Sequence, residues 1–446
     1  MHTFLSLRPK RASRWILIPV ALIALATALL GAPQSKPDDA KSQKTKPKYD
    51  LKALQKYAKT LPRPSLNKFI FTAVWGAVDA AFYDPNFNGH DWAALRKKHE
   101  PIAFAAKDEA ALYTAINDML DELGVSHLTA QSPTTVRAIK KAGAKSPSLT
   151  GLITVSLPPD DTSVVWVVRP NSPAQKAGIK RGWVLLDKPQ NNTQNNTQNN
   201  TDAPPKEGDT MQLEFLDEHG KPQTVKIKLR NTPTVGMERT AQILPNRVLY
   251  LNFDHFDDKS AKWVREQLAK HADTAGIIID LRLNEGGTLD ATCQILGNFF
   301  PEPVKVGTFI KRDESAREYQ SIHQPGAAPY KGRVVVLVSR SSACGAELFA
   351  ATMQHYRRGS IVGWTSTGRT SGQLLGGVDV ELPDGGQLLV PIVNFIFVDG
   401  TRIEGTGVRA DVIVPTPTVE SIRAGKDEAI EIAGRIAAGT ETWPAP

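Results

Sequence analysis

The sequence predicts a multidomain protein of mixed α+β and α/β class. A chain of 446 residues is long enough for two or three domains. Apolar residues at helical spacing dominate 51–132, short strands follow over 150–232, and strands alternate with helices from Arg247 onward. This alternation is typical of an α/β core. We therefore expect a helical domain, then a small strand-rich domain, then an α/β domain.

The first 32 residues predict an export signal. Four basic side chains between Arg8 and Arg14 precede an uncharged run, 15–32, that ends in Leu-Gly-Ala. This order is typical of a secretory signal peptide, and an uncleaved membrane anchor is the alternative. Residues 33–50 are rich in Lys, Pro, Gln and Asp, which predicts a flexible tether. We therefore expect an exported protein of the periplasm or cell envelope, membrane-associated only if the signal stays uncleaved.

Composition and charge argue against several classes of protein. Half of the net charge of +8 lies in the signal, and the remaining basic residues are dispersed, so nucleic-acid binding has little support. The histidines and cysteines do not cluster at ligand spacing, and no Gly-Lys-Ser/Thr follows the Gly286-Gly287 pair. We predict no metal and no cofactor. Cys293 and Cys344 could pair in an exported chain, but we favour free thiols.

Residues 51–147 form the predicted helical N-terminal domain. Two apolar faces, around Phe69–Ala81 and Tyr113–Leu123, flank a loop in which Asp91 is a predicted helix cap.

Residues 148–232 form the predicted strand-rich domain. Its five predicted strands are Leu152–Leu157, Ser163–Val168, Trp183–Leu186, Met211–Leu216 and Thr224–Leu229. Between the second and third of these strands, the segment Pro170–Gly182 predicts a short helix closed by glycine. The Asn-Asn-Thr-Gln repeat of 191–201 predicts a solvated loop expansion without a function.

Two turns of the predicted α/β core, 233–415, carry the chemistry. The apolar strand Gly276–Leu281 leads into Gly286-Gly287, where glycine lets a backbone N–H approach a substrate carbonyl. The strand Val334–Val338 leads into small residues that end in Cys344 at the start of a helix, whose positive end favours a thiolate. A C-terminal helix and tail, 416–446, follow the core.

The second of these turns resembles the nucleophile segment of the carboxyl-terminal processing (tail-specific) peptidases, in which a strand leads into Ser-Ala-Ser-Ala-Ser-Glu. Aligned on Glu347, the attacking serine of the family falls on Cys344, and the lysine and glutamine that follow it fall on Arg369 and Gln373. Both members of the Ser–Lys dyad are therefore replaced.

The resemblance extends over roughly Asn67 to Val414. It implies a helical N-terminal domain, a PDZ domain at 148–232 and a crotonase/Clp-like α/β peptidase core. The PDZ domain would hold a polypeptide C-terminus at the loop Thr150-Gly151-Leu152-Ile153, and Trp183 departs from the aspartate usual in the family. The oxyanion hole would consist of Gly286 or Gly287 together with Gly345.

The replaced dyad has two interpretations. Arg369 cannot be a general base because a guanidinium stays protonated, but it could lower the pKa of Cys344, and a thiolate needs no base when it attacks. The same replacements also fit an inactive site. Among the histidines, His90 could act as a base, as a histidine does in tricorn-like relatives, whereas His127 is interpreted as structural and His355 lies too far along its helix.

We therefore predict an exported peptidase that cleaves unfolded or C-terminally exposed polypeptides through Cys344, with Arg369 and Gln373 orienting and polarising the site. The alternative is an inactive pseudo-peptidase that binds polypeptide C-termini through its PDZ domain. A third possibility is acyl transfer on a non-peptide substrate, since folds of this kind are reused.

Overall fold

The computed structural model describes residues 50–142, 149–157, 159–186, 207–230, 239–323, 328–370 and 377–441. The predicted signal peptide, nearly all of the tether, the Asn-Asn-Thr-Gln repeat and Gln373 lie outside these residues. Within them, no helix combines the length and the apolar character needed to cross a membrane. The described chain divides into two compact units, one made of 50–133, 311–315 and 377–394 and the other of the remainder.

The structure contains the predicted helices and strands together with several that the sequence did not predict. The helices are α1 (Leu51–Ala58), α2 (Arg63–Ala81), α3 (Trp92–Phe104), α4 (Glu109–Asp121), α5 (Pro133–Ala142), α6 (Pro173–Lys176), α7 (Asp258–Lys270), α8 (Leu289–Leu296), α9 (Gly345–His355), α10 (Val419–Arg423) and α11 (Glu428–Ala438). The strands are β1 (Thr129–Gln131), β2 (Leu152–Leu157), β3 (Thr162–Val168), β4 (Val184–Leu185), β5 (Thr210–Leu216), β6 (Pro222–Lys228), β7 (Arg239–Leu244), β8 (Val248–Phe253), β9 (Gly276–Asp280), β10 (Lys305–Lys311), β11 (Ala316–Gln320), β12 (Arg333–Val338), β13 (Ser360–Gly363), β14 (Gly377–Glu381), β15 (Gln387–Pro391), β16 (Val393–Phe397) and β17 (Val412–Ile413). Among the elements that the sequence did not predict are β1, β10, β11 and β13–β17.

The first unit packs its helices around one apolar core. Asp91 caps α3, as predicted, by accepting a hydrogen bond from the N–H of Ala94 at 2.9 Å. A sheet of order β1-β15-β14 belongs to the same unit, and Leu388 and Val390 lie in one core cluster with the helices. The sequence analysis assigned β14 and β15 to the core range 233–415, because pairing between segments so far apart leaves no local pattern.

Residues 152–228 contain an antiparallel sheet of order β2-β3-β4-β5-β6, with β2 and β6 at its edges. Ser172 caps the short helix α6, and Gly178 follows it at φ +82°. Trp183 is almost fully buried, packs on Phe215 and donates its indole N–H to Glu218 Oε2 at 2.7 Å. The tryptophan therefore serves as a core residue at the position where the resembling family has an aspartate.

A six-stranded sheet forms the core of the second unit. Its order is β17-β13-β12-β9-β8-β7, and all neighbours are parallel except the antiparallel edge strand β7. Because β9 and β12 are adjacent and parallel, their carboxyl ends meet at the same edge of the sheet. The turns that carry Gly286-Gly287 and Cys344 therefore lie side by side.

Candidate active site

Cys344 occupies a strained turn between β12 and α9. Its φ of 54° and ψ of −117° are unusual for a residue with a Cβ, so the surrounding contacts must hold it there. The N–H of Cys344 donates to Glu347 Oε2 at 3.0 Å, and the N–H of Ala343 donates to Asn284 O at 3.1 Å. The hydroxyl of Ser342 donates to Leu281 O at 2.7 Å. The bonds of Ala343 and Ser342 fix the turn that carries Cys344 to the turn that follows β9.

Asn284 organises the neighbouring turn. It is buried, donates its side-chain amide to Phe253 O at 2.8 Å and accepts the N–H of Gly286 at Oδ1, also at 2.8 Å. The sequence analysis gave this residue no role. A lone asparagine before a glycine pair is common in turns, so nothing local marks it out.

Both members of the glycine pair must be glycine. Gly286 has φ +100°, and a Cβ on it would lie 2.5 Å from the Cβ of Cys344. Gly287 has φ +146°, and a Cβ there would lie 2.1 Å from the backbone oxygen of Phe256. The backbone of this turn therefore lies directly against the nucleophile turn, an approach that a side chain would prevent.

Two backbone N–H groups point at the sulfur of Cys344. The N–H of Gly287 and the N–H of Gly345 both donate to Sγ. The N–H of Gly286 is already bonded to Asn284, so the structure distinguishes between the two glycines that the sequence left open. Gly345 is also restricted, because a Cβ on it would lie 2.7 Å from Thr292 Oγ1.

The thiol of Cys344 is protonated at neutral pH. Its side chain is only 7 % exposed, and burial raises its pKa to about 11, against the opposing effect of the two backbone hydrogen bonds. The carboxylates of Glu347 and Glu404 raise the pKa further. The expectation that Arg369 and the helix N-terminus lower this pKa is therefore wrong: burial outweighs the backbone bonds, and Arg369 is exposed.

Glu347 links the Cys344 turn to the segment 366–369. Its carboxylate is fully buried and accepts four hydrogen bonds, which come from the N–H of Cys344 at 3.0 Å, the N–H of Arg369 at 2.8 Å, the N–H of Gly368 at 2.6 Å and the hydroxyl of Ser366 at 2.6 Å. Burial raises the pKa of Glu347, and the donors oppose this effect. The carboxylate thus ties the nucleophile turn to the segment that carries Arg369.

Glu404 is the site residue that sequence reasoning missed. The carboxylate of Glu404 lies close enough to Cys344 to raise its pKa. Its Oε2 accepts the N–H of Thr370 at 2.6 Å and the hydroxyl of Thr370 at 3.1 Å. Only the fold brings Glu404 to the nucleophile, so a pattern search around Cys344 could not find it.

The other predicted residues are placed as follows. Cys293 and Cys344 are free thiols, and burial raises the pKa of Cys293 to about 12. His90 is exposed, and His127 has φ 63°; both lie in the first unit. His355 ends α9, ten residues after Gly345 begins the helix, with its ring against Tyr356 and Phe397.

The predicted carboxylate-binding loop is tightly packed. The hydroxyl of Thr150 accepts the N–H of Leu152 at 3.2 Å, and its carbonyl accepts the N–H of Ala174 at 2.9 Å. Gly151 has φ +76°, and a Cβ there would lie 2.2 Å from the Cβ of Ser172. Ile153 lies in the edge strand β2. Elsewhere among the described residues, no three His, Cys, Asp or Glu side chains form a group that could hold a metal.

Comparison with known proteins places this geometry in a peptidase family. Residues 247–414 match the model of peptidase family S41, and residues 67–121 match that of the tricorn protease C1 domain. The chain is 25% identical over 362 residues to a carboxyl-terminal-processing protease of Picosynechococcus sp., which covers 79% of this chain and 84% of the relative. A chloroplastic C-terminal processing peptidase of Tetradesmus obliquus is 26% identical, covering 77% of this chain and 76% of the relative.

Two solved structures share the fold. The photosystem II D1 C-terminal processing protease is 21% identical with a TM-score of 0.52, and the match covers 81% of this chain and 98% of that one. Mature CPAF, solved in complex with lactacystin, is 11% identical with a TM-score of 0.60, and the match covers 85% of this chain and 98% of that one.

These comparisons thus show an S41 peptidase domain over residues 247–414 and a tricorn C1 domain over residues 67–121, within a fold of mixed α and β content. The relatives that this chain resembles are named carboxyl-terminal-processing proteases or peptidases, which agrees with the resemblance noted in the sequence.

Proposed function

We propose that this chain is a peptidase that cleaves unfolded or C-terminally exposed polypeptides through a thioester at Cys344. The observation that carries the proposal is the convergence of the Gly287 and Gly345 N–H groups on Sγ. Two rigid donors beside the nucleophile can stabilise the oxyanion that forms when the scissile carbonyl becomes tetrahedral. Gly286 supports them by allowing the close backbone approach.

The mechanism requires a proton acceptor. Since the pKa of the thiol is raised, Cys344 must lose its proton as it attacks the carbonyl carbon, and the same proton can then pass to the leaving amine. Water then hydrolyses the thioester and restores the thiol. Within the second unit Glu404 is our candidate acceptor, because its carboxylate lies close enough to Cys344 to raise the pKa of the thiol.

Arg369 acts as a fixed positive charge in this proposal. Its backbone is held by Glu347, and its exposed guanidinium, together with Gln373, would orient and polarise the substrate. The strand-rich domain would act as a PDZ domain that delivers substrate by pairing it with the edge strand β2. The N-terminal segment would direct the protein to the periplasm or cell envelope.

The second candidate is an inactive protein that binds polypeptide C-termini. The raised pKa of Cys344 and the replacement of the family lysine by Arg369 favour it, since neither residue is activated in the resting site.

Peptide release from an unfolded protein separates the two candidates. The parent, Cys344→Ala and the matched cysteine variant Cys293→Ala are incubated with the substrate under reducing conditions, and products are identified by mass spectrometry. We expect cleavage by the parent and by Cys293→Ala, and a loss of at least about 1,000-fold in Cys344→Ala. If none of the three cleaves, the binding protein is the correct account.

A further inference from the structure

A cavity of about 450 Å³ lies between α6 and the end of β6, and none of its lining residues belongs to the Cys344 turn or to the loop Thr150–Ile153. The residues that line it are Pro173, Lys176, Ala177, Glu207, Gly208, Lys226, Lys228, Leu229 and Arg230. Four of these side chains are cationic and one is anionic, so the lining carries a net positive charge. Its apolar part includes Pro173 and Leu229, which are themselves buried.

Three of the cationic side chains occur at every second residue along β6 and just after its end. Lys226, Lys228 and Arg230 lie two residues apart and are exposed, whereas Ile227 and Leu229 between them are buried in the core of the sheet. Side chains two residues apart on an extended chain are roughly 6.6 Å apart and share one face. An extended polypeptide with a carboxylate at every second residue has the same repeat.

One of the cations is held in place. Arg230 Nη2 donates to Asn171 O at 2.7 Å, and its N–H donates to Leu149 O at 3.1 Å. A cation fixed by the protein loses less side-chain freedom when it binds a ligand than a freely moving lysine does. In addition, β6 is an edge of its sheet among the described residues, which leaves space for an extended ligand beside it.

We propose that this cavity binds an acidic polypeptide segment in extended conformation, with Asp or Glu at alternate positions and an apolar residue over Leu229. The proposal deepens the proposed function, because it names acidic polypeptides as the substrate class, and it rests on that function only for the cleavage that follows binding.

Binding is measured by fluorescence anisotropy with the full chain carrying Cys344→Ala, so that no peptide is consumed. The probe is a labelled peptide in which Glu alternates with apolar residues, and the control peptide has Gln at each Glu. The double variant Lys226→Glu, Lys228→Glu reverses the lining charge. Lys259→Glu, Lys262→Glu makes the same charge change on α7, where both lysines are exposed.

We expect the acidic peptide to bind and the Gln peptide to bind at least about tenfold more weakly. Reversal of Lys226 and Lys228 should weaken binding of the acidic peptide by about tenfold or more, whereas reversal of Lys259 and Lys262 leaves it unchanged. Equal effects of the two double variants, or equal binding of the two peptides, would overturn the proposal. Binding of inorganic polyphosphate without binding of the acidic peptide would overturn it as well.

Cleavage of the Gln peptide by the parent chain is followed separately. If the parent shows no cleavage, while the Cys344→Ala chain binds the acidic peptide as expected, the peptidase proposal fails and the acidic site stands. If the parent cleaves and the Lys226, Lys228 variant binds the acidic peptide normally, the acidic site fails and the peptidase proposal stands.

Discussion

At the scale of single residues, the resting state of Cys344 is the feature that governs reactivity. The sulfur is buried beside two carboxylates and receives two backbone hydrogen bonds. Burial and the two carboxylates keep the thiol protonated, whereas the two backbone hydrogen bonds act in the opposite direction. A thiol of this kind reacts only when a base, or a high pH, removes its proton.

Alkylation of the resting protein tests this state. With Cys293→Ala to leave one thiol, the rate of iodoacetamide modification at Cys344 should be low at pH 7 and should rise roughly tenfold per pH unit until it levels off near pH 11, because the folded-state pKa is raised to about 11. The rate is followed by intact mass. The unfolded chain in urea is the control and should level off roughly two units lower. A plateau at or below pH 8 in the folded protein would contradict the account.

Glu347 offers a second test at the residue scale. Glu347→Gln keeps the shape but presents an NH₂ group to a site that holds four donors and no acceptors, so at least one buried donor is left without a partner. We expect the free energy of unfolding in urea to fall by about 2–4 kcal/mol. Glu428→Gln on the exposed side of α11 is the matched control and should change it by about 0.5 kcal/mol or less. Equal losses in the two variants would argue against the bracing role.

At the scale of elements, the paired turns could be predicted from the sequence, and the bonds between them could not. Apolar strand runs before Gly286-Gly287 and before Cys344 predict two strand-to-helix turns, and the adjacency of β9 and β12 brings them together. Which glycine donates to the sulfur depends on Asn284, and the contribution of Glu404 depends on a segment from another part of the chain. Neither the donor glycine nor the effect of Glu404 can be predicted from local sequence patterns, because both depend on tertiary packing.

Helix α11 is tied to the β9 turn by a buried ion pair. Arg282 donates to Asp280 Oδ2 at 2.6 Å and to Asp427 Oδ1 at 2.9 Å, and it lies over the ring of Trp166. Asp427 also caps α11 by accepting the N–H of Ile430 at 3.2 Å. The carboxylate of Asp427 thus both caps α11 and pairs with the charged guanidinium of Arg282.

Substitutions of Asp427 separate these two roles. Asp427→Ala removes the cap and the ion pair and should lower the free energy of unfolding by about 2–4 kcal/mol. Asp427→Asn keeps a capping oxygen but removes the charge, so the loss should be smaller. Urea unfolding of the three proteins measures the difference. If the asparagine variant is as unstable as the alanine variant, the cap contributes nothing and the ion pair accounts for the whole loss.

At the scale of the whole molecule, the order of the main regions could be predicted from the sequence. The division of the chain into two compact units could be predicted only in part. Helical and strand periodicity identified the helical region, the five-stranded sheet and the α/β core. The return of β14 and β15 to the first unit was not predictable, since β15 pairs with β1, which is far away in sequence. The predicted domain boundaries and the export signal remain predictions.

The central claim is that Cys344 forms a covalent thioester during peptide cleavage, and acid-quenched reactions analysed by peptide mass mapping test it most directly. During turnover of an unfolded substrate, the account predicts that the peptide containing Cys344 gains the mass of the acyl fragment. The Cys344→Ala protein should show neither adduct nor cleavage. An adduct on Ser341 or Ser342, or cleavage by Cys344→Ala at the rate of the parent, would contradict the claim.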